Sequence, residues 1–182
     1  MHNLSIMIVR VLLFIIIFSF LKIISAYSEV KFFDLEEIRD WQLVAEINNN
    51  KKTCHAIIRP YKNKLILGEI VDPKFIISYK GYLSYSISFS CSTALALSNS
   101  ILLFINDSRY MLKTTKYKEN AITYSAEQDI DIINNMITGS FSFKIRSQGE
   151  KGELNLIYFS SLGFNEVINY MENNCRNLGD VK

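Results

Sequence analysis

Apolar and polar residues alternate with a period of two over several short stretches of the chain, the pattern of strands that bury one face. Trp41, Leu43, Ala45 and Ile47 alternate with Gln42 and Glu46. Residues 53–59 then return as a second strand that stops at Pro60, which lacks the amide a ladder needs. With a turn at residues 48–52 between them, the two predict a hairpin. Further β-branched or aromatic runs lie at residues 74–79, 85–91, 101–105, 110–113, 140–145 and 153–159, separated by Asn, Asp, Gly or Ser. Two stretches switch to the helical period. Residues 127–138 place Ile130, Ile133 and Met136 or Ile137 on one face ahead of Gly139, and residues 161–174 place Phe164, Val167, Ile168 and Met171 on another. The acidic segment 34–40 reads as short and mildly helical, and the serine-rich segment 84–100 as an exposed edge or a flexible loop. Seven or eight short strands with two short helices predict a mainly β, single-domain antiparallel sandwich or barrel.

The N-terminus breaks this pattern. Residues 11–21 are apolar without a charge, follow Arg10, and end in a polar exit at Ser25-Ala26. These are the parts of a secretory signal helix, and the run is shorter than the ~20 residues a spanning helix needs. The expectation is a signal peptide over residues 1–26 and a mature domain over 27–182. The rival is an uncleaved anchor, because Ile24 stands where the peptidase prefers a small residue and Lys22 interrupts the apolar segment.

Charge narrows the partners. Cleavage would remove Arg10 and Lys22 but no acid, taking the formal charge from +2 to zero. A neutral domain whose basic runs are Lys51-Lys52, Lys62 with Lys64, and Lys113, Lys116 and Lys118 does not read as a nucleic-acid binder. Membrane contact is expected only through the signal segment, if it is kept. The richness in Ile, Asn, Lys, Ser and Tyr, with two prolines and seven glycines, is that of an AT-rich genome.

Candidate chemistry is sparse. The expected mature chain holds one histidine, His55, beside Cys54 in an apolar strand, and no serine sits in a nucleophile elbow. Neighbouring strand residues point to opposite faces, so Cys54 and His55 cannot both face one metal, and no Cys-x-x-Cys spacing exists. The carboxylate pairs Glu36-Glu37 and Asp129-x-Asp131 read as helix-start charges. The glycines at 139, 149, 152 and 163 form no phosphate loop. No catalytic, cofactor-binding or metal residue is expected. Trp41, Phe75, Tyr158 and Phe164 read as core aromatics.

Taken in order, several phrases resemble one family. Trp41, then Lys52-Thr53-Cys54 with Pro60, then Asp72-Pro73-Lys74-Phe75 are similar to the invasion-associated locus B proteins, small exported proteins of alphaproteobacteria. Ile105-Asn106-Asp107 with Tyr110 and Leu112 resembles that family's hairpin. Residues 133–139 resemble its helix ending in glycine, and Tyr158 through Gly163-Phe164 resembles its closing phrase before a last helix ending in Cys175. The departures are His55 where an aromatic residue is usual, Ile58 in place of a small polar residue, and Cys91 where a turn is expected.

The resemblance implies a compact β-sandwich of the periplasm or outer envelope, without established enzymatic activity and linked in some members to entry into host cells. Its motif core here would be Trp41, Pro60, Phe75, Tyr158, Gly163 and Phe164. Three cysteines permit three pairings. Cys54 and Cys175 match the family's cysteine positions and Cys91 does not, so the resemblance implies a Cys54–Cys175 bridge and a free, buried Cys91. The reading is an exported, non-catalytic envelope protein of a host-associated bacterium that works through contacts with an unidentified envelope or host protein, in host-cell invasion. The alternative is a periplasmic small-molecule-binding protein or a cryptic hydrolase.

Overall fold

The computed structural model describes residues 30–48, 51–65, 71–81, 84–97, 101–139, 141–152 and 154–175. The expected signal segment lies outside them. The strands are β1 (Lys31–Ile38), β2 (Trp41–Asn48), β3 (Lys51–Ile58), β4 (Lys62–Leu65), β5 (Lys74–Tyr79) and β6 (Tyr85–Ser90), then β7 (Ile101–Ile105), β8 (Ser108–Thr114) and β9 (Asn120–Ile122). Helix α1 (Ala126–Ile137) precedes β10 (Ser142–Gln148) and β11 (Leu154–Ser160), and α2 (Phe164–Asn174) follows them.

The fold is mainly β with two helices. Among the described residues eleven strands form one antiparallel sheet in the order β1-β2-β3-β5-β6-β9-β8-β7-β10-β11-β4. The sheet curls so that its two halves face each other. Phe75 on β5 meets Phe143 on β10 at a centroid distance of 4.7 Å and Phe159 on β11 at 6.2 Å, while Phe143 and Phe159 stack at 5.1 Å. Ile58, Ile77, Leu103, Ile145 and Ile157 continue this core. Helix α1 packs on β6 and β7, and α2 packs on β2 and on α1.

Several expectations change. Residues 34–40 are not helical, because Lys31–Ile38 pairs with β2 as the edge strand β1. It is exposed along nearly its whole length, so neither face carries an apolar period to reveal it. The serine-rich stretch begins with β6, an interior strand between β5 and β9. Tyr85, Ile87 and Phe89 enter the core there while Ser86, Ser88 and Ser90 face outward. Residues 98–100 lie outside the described set. Helix α2 starts at Phe164, not at residue 161, with Gly163 as its N-cap.

Helix α1 begins at Ser125, whose side chain accepts from the Gln128 amide. Its buried face is Asp129, Ile132, Ile133 and Met136, leaving Ile130 and Ile137 exposed. The face is rotated because Asp129 is no solvated helix-start charge: it is 5 % exposed, and its Oδ1 accepts from the Ile87 amide at 2.9 Å and the Thr123 hydroxyl at 2.6 Å. With β9 only three residues long, that carboxylate serves an amide of β6 which the short partner strand does not reach.

Asp129→Ala is therefore expected to destabilise the fold by about 1–3 kcal/mol, the cost of leaving buried donors unpaired. Asp129→Asn keeps the accepting oxygen and should cost less. Burial raises the Asp129 carboxyl above its ordinary range against the opposing hydrogen bonds from Thr123 and Ile87. The unfolded chain therefore releases this proton first as pH rises, and the group's contribution to stability falls between the unfolded value, near ~4, and the higher folded value. Urea unfolding between acidic and neutral pH should show the Asn variant gaining on the wild type as pH rises; a constant gap would refute the assignment.

Candidate functional site

Several of the residues singled out from the sequence lie at the two ends of α2. The Cys54 and Cys175 Cα atoms are 6.2 Å apart and the two form a disulfide, joining β3 to the C-terminal end of α2. At the other end of α2, the Phe164 ring lies 5.5 Å from the Trp41 ring, and both are buried. Gly163 takes φ +84 and is packed against the β1–β2 turn. A Cβ there would stand 2.6 Å from Arg39 Cγ and 2.8 Å from Arg39 Cβ.

Gly163→Ala should thus lower stability by about 2 kcal/mol or more, since a left-handed residue with a side chain costs roughly 1–3 kcal/mol before Arg39 is displaced. A thermal melt indistinguishable from wild type would contradict this close approach.

The Arg39–Gly163 contact separates two shallow hollows. One, about 350 Å³, is bordered by Glu37, Arg39, Trp41, Arg59, Pro60 and Tyr61. The other, about 240 Å³, is bordered by Ile137, Phe141, Leu162 and Phe164, of which the first three are exposed. Arg59 is oriented by Asp72 at 3.7 Å, and the Asp72 carboxylate also holds Lys74 Nζ at 2.6 Å. Hydrogen bonding from Lys74, with Arg59 adding to it, keeps Asp72 below the usual carboxylate range. The resemblance residues 72–75 thus open β5 and also fix an arginine on the rim of the larger hollow.

Two of the six motif residues stand outside the core. Pro60 is half-buried on the rim of that hollow. Tyr158 is half-buried on the outward face of β11, between inward Ile157 and Phe159, and its ring lies 6.4 Å from that of Tyr61. Strand parity fixes this: only alternate residues of β11 face inward.

His55 also faces outward, but not into empty solvent. Its Nδ1 is 2.8 Å from Ser78 Oγ on β5 and its Nε2 is 3.0 Å from Glu46 Oε2 on β2. The tautomer that satisfies both places the proton on Nε2, with the Ser78 hydroxyl donating to Nδ1. Ser78 and Glu46 were not singled out from the sequence, because only the pairing His55↔Ser78 and the neighbouring β2–β3 register bring them together. Serine, imidazole and carboxylate have the composition of a hydrolytic triad. Yet Ser78 lies mid-strand, paired with His55 on one side and Ser86 on the other. That placement engages the local backbone in two ladders instead of presenting the paired free amides of an oxyanion hole.

Cys91, 4 % exposed, donates from Sγ to the Thr93 carbonyl at 3.1 Å, and burial pushes its thiol pKa up, which makes it a poor thiolate. Among the described residues no three His, Cys, Asp or Glu side chains are gathered as a metal ion would require.

The chain is similar in structure to invasion associated protein B of Bartonella henselae. The similarity to that crystal structure covers 75 % of this chain and 94 % of the other, with a TM-score of 0.48 and 13 % identity. No family model matches the sequence, and no curated protein matches it.

Proposed function

We propose that this is an exported, non-catalytic envelope protein of a host-associated bacterium, related to the invasion-associated locus B proteins, which acts by contacting another protein. The observation that carries the reading is the Cys54–Cys175 disulfide, which closes a span of 121 residues. Such bridges form and persist in oxidising compartments. The signal-like residues 1–26 and the order of motif phrases along the chain support the same reading. The contact surface is the rim around the Arg39–Gly163 contact, where arginines and exposed apolar side chains border shallow hollows.

Fractionation of expressing cells with thiol trapping tests it. The expected result is protein outside the cytoplasm, starting at Tyr27, with Cys54 and Cys175 alkylated only after reduction. Recovery in the cytoplasm with all three thiols free would overturn it.

The Glu46–His55–Ser78 relay favours one second reading, hydrolysis with Ser78 as nucleophile. Turnover of ester, peptide or glycoside substrates that survives repurification and is abolished by both Ser78→Ala and His55→Ala would establish it in place of the first.

A further inference from the structure

The five strands β8, β7, β10, β11 and β4 contain no Asp or Glu. Their outward positions are gathered into rows by the register. In one row Arg109 faces Phe104, Phe104 faces Lys144, Lys144 faces Tyr158 and Tyr158 faces Lys62. In the next, Met111 faces Leu102, Leu102 faces Arg146 and Arg146 faces Leu156. Lys113 lies two residues beyond Met111 on the same face. Side chains directly opposite in an antiparallel pair share a face, so these cations form a single patch. Lys62, Arg109, Lys113, Lys144 and Arg146 are all exposed, and between them run the half-buried side chains of Leu102, Phe104, Leu156 and Tyr158.

The whole chain has a formal charge of only +2, so this half of the sheet is far more cationic than the protein. The opposite edge of the sheet is acidic, where β1 carries Asp34, Glu36 and Glu37 beside the single Lys31. A face of five cations without an acid, interleaved with apolar side chains, is complementary to a surface of anionic headgroups over hydrocarbon. Single-stranded nucleic acid, which also uses cations and rings, fits less well. It needs free aromatic faces for stacking, whereas Lys144 Nζ already covers the Phe104 ring at 5.3 Å and Tyr61 lies against Tyr158. The other apolar side chains of the patch are aliphatic.

We infer that the outward face of β8, β7, β10, β11 and β4 docks on an anionic lipid surface through Lys62, Arg109, Lys113, Lys144 and Arg146. This contact is independent of the protein contact proposed above. The larger hollow borders this face, since its Tyr61 lies against Tyr158, but none of the five cations lines either hollow, and the contact needs no insertion of a helix.

Co-sedimentation of the oxidised full-length chain with vesicles decides the matter, comparing phosphatidylcholine alone with the same lipid mixed with phosphatidylglycerol. Both carry the same acyl chains and every variant keeps residues 1–29, so differences between variants report on the folded domain. The expected result is tighter binding to the anionic vesicles that weakens as salt rises. The pair Lys144→Gln and Arg146→Gln should cut that binding about 25-fold, at roughly fivefold per cation. Lys51→Gln with Lys52→Gln, on the other half of the sheet, should leave it as in wild type. Circular dichroism and retention of the disulfide confirm that the variants are folded. Equal binding of wild type and the Lys144/Arg146 pair overturns the inference. So does an equal loss from the Lys51/Lys52 pair, or tighter capture by an oligothymidylate than by the anionic vesicles at the same salt.

Discussion

Reduction of the Cys54–Cys175 bridge, or its removal by Cys54→Ser with Cys175→Ser, is expected to lower the stability of the domain by about 5 kcal/mol. That magnitude is the chain entropy that a 121-residue closure removes from the unfolded state. Domains of this size are stable by roughly 5–15 kcal/mol in total, so the reduced protein should lie close to its unfolding threshold. The bridge also fixes the end of α2, whose Val167 and Met171 are completely buried. Urea unfolding with and without a reductant measures the effect. Cys91→Ser is the control, since a hydroxyl can still donate to Thr93, and it should change stability little and leave the response to reductant intact. A loss on reduction of under about 1 kcal/mol would remove the bridge from any stabilising role.

The second large effect is expected at Phe75. Its ring is completely buried and joins the two halves of the curled sheet through Phe143 and Phe159. Phe75→Ala removes this contact from both halves at once and should cost about 3–5 kcal/mol, transfer and cavity terms together. Phe75→Leu, which fills part of the volume, should cost clearly less. Chemical denaturation of the oxidised variants checks this, and an Ala variant no less stable than the Leu variant would mean that the aromatic contact is not where the halves are held.

The strands that were legible in the sequence are those with one dry and one wet face. Residues 74–79 and 101–105 match β5 and β7 because their β-branched and aromatic residues alternate across a half-buried sheet. Those that were missed have no such contrast. β1 is exposed on both faces, β9 has three residues, and β4 is a four-residue edge strand of Lys, Asn, Lys and Leu. The disulfide partners were legible through the family resemblance, because sequence spacing alone left all three pairings open. His55 was legible as a strand residue on the face opposite Cys54, but its partners Ser78 and Glu46 belong to other strands and are set by register. The basic face is a sharper case of the same limit. Lys62 and Lys113 read as ends of local lysine runs, and Arg109, Lys144 and Arg146 belonged to no basic run, since the patch exists only once β8, β7, β10, β11 and β4 are side by side.

The position of β4 bears on how the protein reaches this state. In sequence it lies between β3 and β5, which pair with each other, yet it docks at the far edge of the sheet on β11, with Leu65 opposite Asn155. A chain that emerges N-terminus first presents β4 long before its partner. Closing a loop of that length carries an entropic cost that must be met before the ladder returns any free energy, and folds dominated by such distant pairings form on the scale of milliseconds to seconds, not microseconds. Until β11 arrives, the polar, lysine-bearing sequence of β4 leaves little for a neighbouring chain to pair with, so the segment that waits longest for its place is also among those least prone to aggregate while waiting.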